Sequence, residues 1–275
     1  KKMTAIKAAI DKWEEKNGED PAEALKVMLC GQVPPIQKMD ANLGRLANCE
    51  HLALSSNNIE KLTGLKALKK LKVLSIGRNC LKKLDGIDDV AESLEQLWIS
   101  YNLIEKMAGV EAMLNLKVLY MSNNLVTKWS EVQRLAALPF LEEILMQGNP
   151  IYDDFIKVGT YRIQVAGRLT RLAKLDGAPV FIEERQLGKE FLMGEALVAR
   201  FGNLDTVFKK MDENGDGVLD REEIDHAIRN LGFPFEEAEL DALMKHADMN
   251  NDGKIQYKEW IYKLSGGRDG GDAKG

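Results

Sequence analysis

The sequence predicts an α/β solenoid of short parallel strands and helical returns, followed by a small all-α pair of helix–loop–helix units. Three observations carry that expectation. Between Cys49 and Ile151 an apolar residue, two more spaced three and five on, an Asn at eight and an aliphatic at ten recur five times. After the first four of these Asn residues, apolar side chains return at every third position. Further on, two twelve-residue segments set oxygen-bearing side chains at alternate positions before a shared glycine.

In chain order, residues 4–16 place Ile6, Ile10 and Trp13 on one helical stripe. Asp20-Pro21-Ala22-Glu23 reads as a helix start, with Asp as N-cap and Pro at the first position, so a second helix is expected to reach about Leu29. Ile36, Met39, Leu43, Leu46 and Cys49 then read as the rear half of a repeat without its strand. Residues 1–48 are assigned as an N-terminal helical cap, because an end repeat must cover apolar surface that has no neighbour.

The five copies are Cys49/Leu52/Leu54/Asn57/Ile59, Leu71/Leu74/Ile76/Asn79/Leu81, Leu94/Leu97/Ile99/Asn102/Ile104, Leu116/Leu119/Met121/Asn124/Val126 and Leu141/Ile144/Met146/Asn149/Ile151. Their Asn residues step by 22, 23, 22 and 25 positions. That period and phase are the leucine-rich-repeat pattern, which makes residues 49–151 five leucine-rich repeats. The first half of each repeat alternates as a strand does. Runs such as Ile59, Leu62, Leu65, Leu68 in the second half suit 3₁₀ turns or short helices. Each Asn stands where the chain leaves the strand, and its side chain carries both donors and an acceptor for backbone groups otherwise buried unpaired.

Phase is lost after Ile151. Tyr161-Arg162, Leu169, Leu172, Leu175 and Asp176-Gly177 are expected to form a C-terminal cap over residues 152–181, of helical character. Residues 182–200 read as a helical linker interrupted near Gly188 and Gly194, with Gly202 just beyond.

Residues 212–223 read Asp-Glu-Asn-Gly-Asp-Gly-Val-Leu-Asp-Arg-Glu-Glu, and residues 248–259 read Asp-Met-Asn-Asn-Asp-Gly-Lys-Ile-Gln-Tyr-Lys-Glu. Both match the EF-hand calcium loop. Side-chain ligands are expected from Asp212, Asn214, Asp216, Asp220 and Glu223, with the Val218 carbonyl. The second loop offers Asp248, Asn250, Asp252, Gln256 and Glu259, with the Lys254 carbonyl. Gly217 and Gly253 stand where the loop bends sharply, and Leu219 is expected to pair with Ile255 in a short strand. Residues 201–265 thus form an EF-hand pair with two Ca²⁺ sites in the ~10⁻⁷–10⁻⁵ M range. The first loop, with four carboxylates against three, is expected to bind more tightly. Gly232-Phe233-Pro234 separates the hands, and Met211, Met244 and Met249 suggest an adaptable apolar surface. Residues 266–275 are expected to be disordered.

Charge follows the same division. The net charge is −5, and from Ala196 onward 17 acidic residues face 11 basic ones, leaving the rest near neutral. A cation is the natural answer to that acidity. No basic stripe interleaves with aromatics, so nucleic acid is not expected. No apolar run reaches the ~20 residues needed to cross a bilayer, and no secretory leader is expected at Lys1-Lys2-Met3-Thr4, so no membrane partner is expected and the expected compartment is the cytosol or one continuous with it. Cys30, Cys49 and Cys80 follow no paired spacing and are expected to be packed thiols.

If the Leu positions point inward, the residues between them face outward. One outward row is Ala53, Ser75, Trp98, Tyr120 and Leu145, and the next is His51, Val73, Gln96, Val118 and Glu143. Val73, Trp98, Val118, Tyr120 and Leu145 are expected to form a partner-binding patch, with Tyr101 at the strand end. No catalytic constellation emerges: His51 and Ser55 stand too far apart along the strand for proton transfer, and no phosphate loop or nucleophile elbow is found.

The runs His51-Leu-Ala-Leu-Ser-Ser-Asn-Asn-Ile-Glu-Lys61, Leu97-Trp-Ile-Ser-Tyr-Asn102 and Leu119-Tyr-Met-Ser-Asn-Asn124 closely resemble the leucine-rich-repeat light chains of outer-arm axonemal dynein. Pro34-Pro35-Ile36, Tyr161-Arg162 and Lys174-Leu-Asp-Gly177 do so as well, and the resemblance spans about residues 3–186. It implies a non-enzymatic subunit of the ciliary or flagellar axoneme, part of the cytoplasmic cytoskeleton. It further implies that the sheet face binds the dynein heavy chain at its microtubule-binding stalk and regulates motility. Arg185 matches a basic residue of the family's terminal helix that lies toward the microtubule, which implies tubulin as a second partner. The EF-hand pair departs from that family and suggests that Ca²⁺ control is built into the chain; a fused Ca²⁺-responsive tether is the other way to read it. Two further readings stand beside it: a Ca²⁺-responsive leucine-rich-repeat regulator of a protein phosphatase or other adaptor, although such proteins resemble longer arrays, and a simple Ca²⁺ buffer, for which an exposed patch has no use.

Overall fold

Each repeat opens with a three-residue strand: β2 (His51–Ala53), β3 (Val73–Ser75), β4 (Gln96–Trp98), β5 (Val118–Tyr120) and β6 (Glu143–Leu145). The structure, a computed structural model, describes residues 3–157, 159–230 and 237–264. The strands pair in parallel and in phase, so that Leu52, Leu74, Leu97, Leu119 and Ile144 stack as one fully buried column. Burying each of these side chains contributes about 1.5–3 kcal/mol. Parallel neighbours cannot be joined by a hairpin, so the chain must cross back after every strand.

The N-terminal cap differs from its sequence reading. Helix α1 (Ile6–Asn17) forms as expected and buries Ile6, Ile10 and Trp13. The second helix does not form. Asp20 holds only a tight turn, accepting from the Ala22 amide at 2.8 Å, and the chain then enters strand β1 (Lys26–Met28), which pairs in parallel with β2. Ala24, Val27 and Leu29 are buried at the spacing of a repeat, with Gln32 at the Asn position. The rear half beginning at Ile36 therefore does have a strand, and the solenoid holds a sixth, degenerate repeat. Sheet pairing and burial of Val27 outweigh the local helix-start signal.

The Asn residues satisfy successive turns. Asn102 Oδ1 accepts from Leu81 N at 3.0 Å, while its Nδ2 donates to Ile76 O at 3.1 Å and Ile99 O at 2.9 Å. Asn57, Asn79, Asn124 and Asn149 repeat the arrangement. The residue before each Asn turns into the left-handed region: Ser56, Arg78, Tyr101, Asn123 and Gly148, with Gly31 in the same place before Gln32. The returns hold 3₁₀ helices at 41–46, 87–90 and 110–112, and helix α2 (Trp129–Gln133) continuing into a 3₁₀ segment at 134–137. Between Ile59 and Leu71 the return is turns alone.

The C-terminal cap is helical and then extended. Helices α3 (Pro150–Ile156) and α4 (Tyr161–Arg168) precede β7 (Lys174–Leu175), which pairs in parallel with β6 and folds back on β8 (Ala178–Pro179). Tyr161 is buried and donates its hydroxyl to Asp176 at 2.8 Å. Strands β1 to β8 make one sheet.

The chain divides into two units, Lys1–Phe181 and Ile182–Gly275. Segment 182–200 is not a linker. It is most of helix α5 (Ile182–Phe201), continuous through Gly188 and Gly194, whose Met193 and Leu197 enter the second unit's core. Packing of that face holds the helix across two glycines that are weak helix formers alone. Helices α6 (Leu204–Met211), α7 (Arg221–Asn230), α8 (Glu237–Ala247) and α9 (Tyr257–Leu264) complete the unit. Met211 and Met244 are buried there, leaving only Met249 of the three methionines exposed. The expectations for Gly232-Phe233-Pro234 and for residues 266–275 lie outside the described residues. Among the cysteines, Cys49 is buried, Cys80 half-buried and Cys30 exposed, so Cys30 is not a packed thiol; burial pushes the Cys49 thiol up to about 11.

Candidate functional site: a sheet face and two acidic loops

The parallel register builds the outward rows. Ala53, Ser75, Trp98, Tyr120 and Leu145 pair laterally across β2 to β6, as do His51, Val73, Gln96, Val118 and Glu143. Trp98 and Tyr120 stack with ring centroids 5.9 Å apart, and the His51 ring meets Trp98 edge-on at 5.6 Å. Val73, Val118 and Leu145 lie half-buried around them. Tyr120 donates to Glu143 Oε1 at 3.0 Å, and Lys174 reaches the same oxygen at 3.3 Å. Burial and then Glu143 hold the Tyr120 hydroxyl above its ordinary pKa. Burial, assisted by Lys26, pushes His51 down, which favours its neutral form.

The indole N–H of Trp98 and Nε2 of His51 are buried with no hydrogen-bond partner. Trp129 and Trp260 share an unmet indole N–H, so this donor counts only with Trp98's place at the centre of the row. His51, Glu143 and Lys174 are polar members of the same face, since the register pairs His51 with Val73, and Glu143 with Val118 and Lys174; the alternation that places Val73 and Val118 outward is the sequence signal for His51 and Glu143. Tyr101 stands apart. It is 48% exposed on the turn ridge, and its ring lies under the Arg78 guanidinium at 4.4 Å. Arg185 is on α5, in the second unit.

In the first acidic loop, Asp212 accepts from the Asp216 and Gly217 amides at 3.1 and 3.0 Å. Glu223 turns inward, accepting from Glu213 N at 3.0 Å, Asn214 N at 3.3 Å and Asp220 N at 3.1 Å. The second loop repeats this: Asp248 accepts from the Asp252 and Gly253 amides at 3.2 and 2.7 Å, and Glu259 accepts from Met249, Asn250 and Gln256 amides. Gly217 and Gly253 sit at φ +84° and +85°. Strands β9 (Val218–Leu219) and β10 (Ile255–Gln256) pair antiparallel, with Leu219 opposite Ile255.

With their carboxylates held on loop amides, no three His, Cys, Asp or Glu side chains form a ready-made ligand cluster among the described residues. The residues nonetheless fit a hard divalent cation. Glu223 and Glu259 are only 8% and 7% exposed, both pair only with loop amides in the contacts above, and every donor in the two loops is oxygen. Asp212, Asn214, Asp216, Val218, Asp220 and Glu223 would hold one ion. Asp248, Asn250, Asp252, Lys254, Gln256 and Glu259 would hold the other. The first loop also has a competitor that the sequence did not disclose: Lys254 Nζ lies 3.1 Å from Asp216 Oδ2. The Val218 amide and then Lys254 hold Asp216 below the usual carboxylate range.

Comparison with known proteins agrees with both parts. Residues 203–263 match the family described as an EF-hand domain pair, and residues 47–89 match leucine-rich repeats (2 copies). The dynein axonemal light chain 1 of Chlamydomonas reinhardtii is 55% identical over 188 residues, 67% of this chain and 95% of that protein. The protein of the same name from Rattus norvegicus is 54% identical over 185 residues, 67% and 97% of the two chains. The Homo sapiens protein is 55% identical over 179 residues, 65% and 94%. At that identity, over nearly the whole of those relatives, the chain belongs to the dynein axonemal light chain 1 family.

Proposed function

We propose that this chain is a non-enzymatic axonemal light chain that binds the dynein heavy chain at its microtubule-binding stalk through the outward sheet rows. It acts in the axoneme of a cilium or flagellum and regulates motility there, with Ca²⁺ held in two EF-hand loops and tubulin as a second contact through Arg185. The observation that carries the reading is the Trp98–Tyr120 stack, an aromatic pair on a sheet face whose core does not need it. Aromatic residues of this kind dominate interface energetics. The unmet Trp98 N–H calls for an acceptor that a bound partner can supply.

A pull-down tests this. The tagged chain is exposed to ciliary extract with Ca²⁺ or with chelator, and retained proteins are identified by mass spectrometry. Dynein heavy chain is expected, and Trp98→Ala should weaken the contact by about 2 kcal/mol or more. Retention of a phosphatase catalytic subunit instead, or unchanged capture by Trp98→Ala, would overturn the assignment. Calorimetry should find two Ca²⁺ sites, with Glu223→Gln and Glu259→Gln each removing one.

A further inference from the structure

Four lysines occupy one position of four consecutive repeats. Lys61, Lys83, Lys106 and Lys128 each lie four residues after their ladder Asn, and all are exposed. The repeats are in phase there, because Cys80, Leu103 and Leu125 donate to the carbonyls of Ile59, Leu81 and Ile104 in the preceding turn. At the spacing of parallel neighbours, about 5 Å, the four stems run along roughly 15 Å of the solenoid edge. None of the four makes an ion pair or side-chain hydrogen bond among the described residues.

A second charged row on the same repeats is built differently. The residue before each strand alternates Glu50, Lys72, Glu95, Lys117 and Glu142. Lys72 pairs with Glu50, and Lys117 with Glu95, both at 2.8 Å. That row neutralises itself, whereas like charges stacked side by side on a sheet repeat are destabilising. The lysine column also has apolar company. Leu103 and Leu125 are 40% and 39% exposed beside it, and an open trough of about 840 Å³ is bordered by Lys61, Lys82, Lys83, Cys80 and Leu103. Glu60 and Asp85 border the trough too, and Glu105 precedes Lys106, so lysines outnumber carboxylates without being alone.

We propose that this edge is a second docking surface, for an extended acidic polypeptide segment with interspersed apolar residues. It lies beyond the Asn turn, outside the sheet rows assigned to the heavy chain. Charge complementarity to the column selects the acidic residues, and the trough beside Cys80 and Leu103 takes an apolar one. A single-stranded nucleic acid is disfavoured, because base stacking needs free aromatic faces and the nearby Tyr101 ring is covered by Arg78.

The test measures anisotropy of a short fluorescein-labelled peptide, rich in Glu with interspersed Leu, on the full chain at low and high salt. Two variants remove equal charge: Lys83→Gln/Lys106→Gln from the column, and Lys72→Gln/Lys117→Gln from the self-paired row. Thermal melts check that both fold. Salt-sensitive binding weakened about fivefold or more by the column variant alone is expected. Absence of binding, equal loss in both variants, or tighter binding of an oligouridine probe would overturn the proposal. Trp98→Ala should leave this binding unchanged, which separates it from the heavy-chain reading.

Discussion

Asn102 uses its whole amide on backbone that no strand satisfies, and the same geometry recurs at Asn57, Asn79, Asn124 and Asn149. Removing it leaves buried carbonyl and amide groups without partners. Asn102→Ala should therefore lower stability by about 1–3 kcal/mol, read as a shifted denaturation midpoint with an unchanged slope. Lys254 carries the other prediction at this scale. Its ammonium stands beside the Asp216 carboxylate, a candidate ligand of the first loop, and an exposed pair of this kind contributes little to stability. Lys254→Met should raise Ca²⁺ affinity at the first loop up to about fivefold, with the stoichiometry unchanged in calorimetry. Equal affinities in both proteins would show that the ammonium does not compete.

Strand β1 is the element whose existence depended on its neighbour. Asp20-Pro21 imitates a helix start, and Ala24, Val27 and Gln32 depart from the Leu and Asn of the repeat, although Leu29 keeps it. Only pairing with β2 and burial of Val27 and Leu29 turn the segment into a repeat. Leu29→Ala should consequently cost about 2–5 kcal/mol, the range for a core Leu, as measured by urea denaturation. A peripheral cap helix would lose far less. Helix α5 teaches the same lesson in reverse: Gly188 and Gly194 read as interruptions, yet Met193 and Leu197 are packed into a core and the helix continues.

At the scale of the molecule, the two cores share no residue, and the acidic loops belong to only one of them. Ligand binding stabilises the state that binds by mass action, about 2.7 kcal/mol at a hundredfold excess over Kd. Calorimetry should resolve two transitions, with Ca²⁺ raising the one that Glu223→Gln and Glu259→Gln lower, and leaving the solenoid's unmoved. A single transition shifting as a whole would mean that the units unfold together.

The sequence by itself determined the five repeats, the Asn ladder, the two loops and the outward rows. Each of these is written in local spacing, and a repeated spacing overrules the noise of any one position. Tertiary structure alone decided the rest. A sixth strand with the wrong residues forms because a neighbouring strand offers hydrogen bonds. A helix passes through glycines because one face is buried. Lys254 meets Asp216 across 38 positions because β9 and β10 bring the loops together. These outcomes depend on which surfaces meet, and burial and pairing between distant segments outweigh local propensity by several kcal/mol.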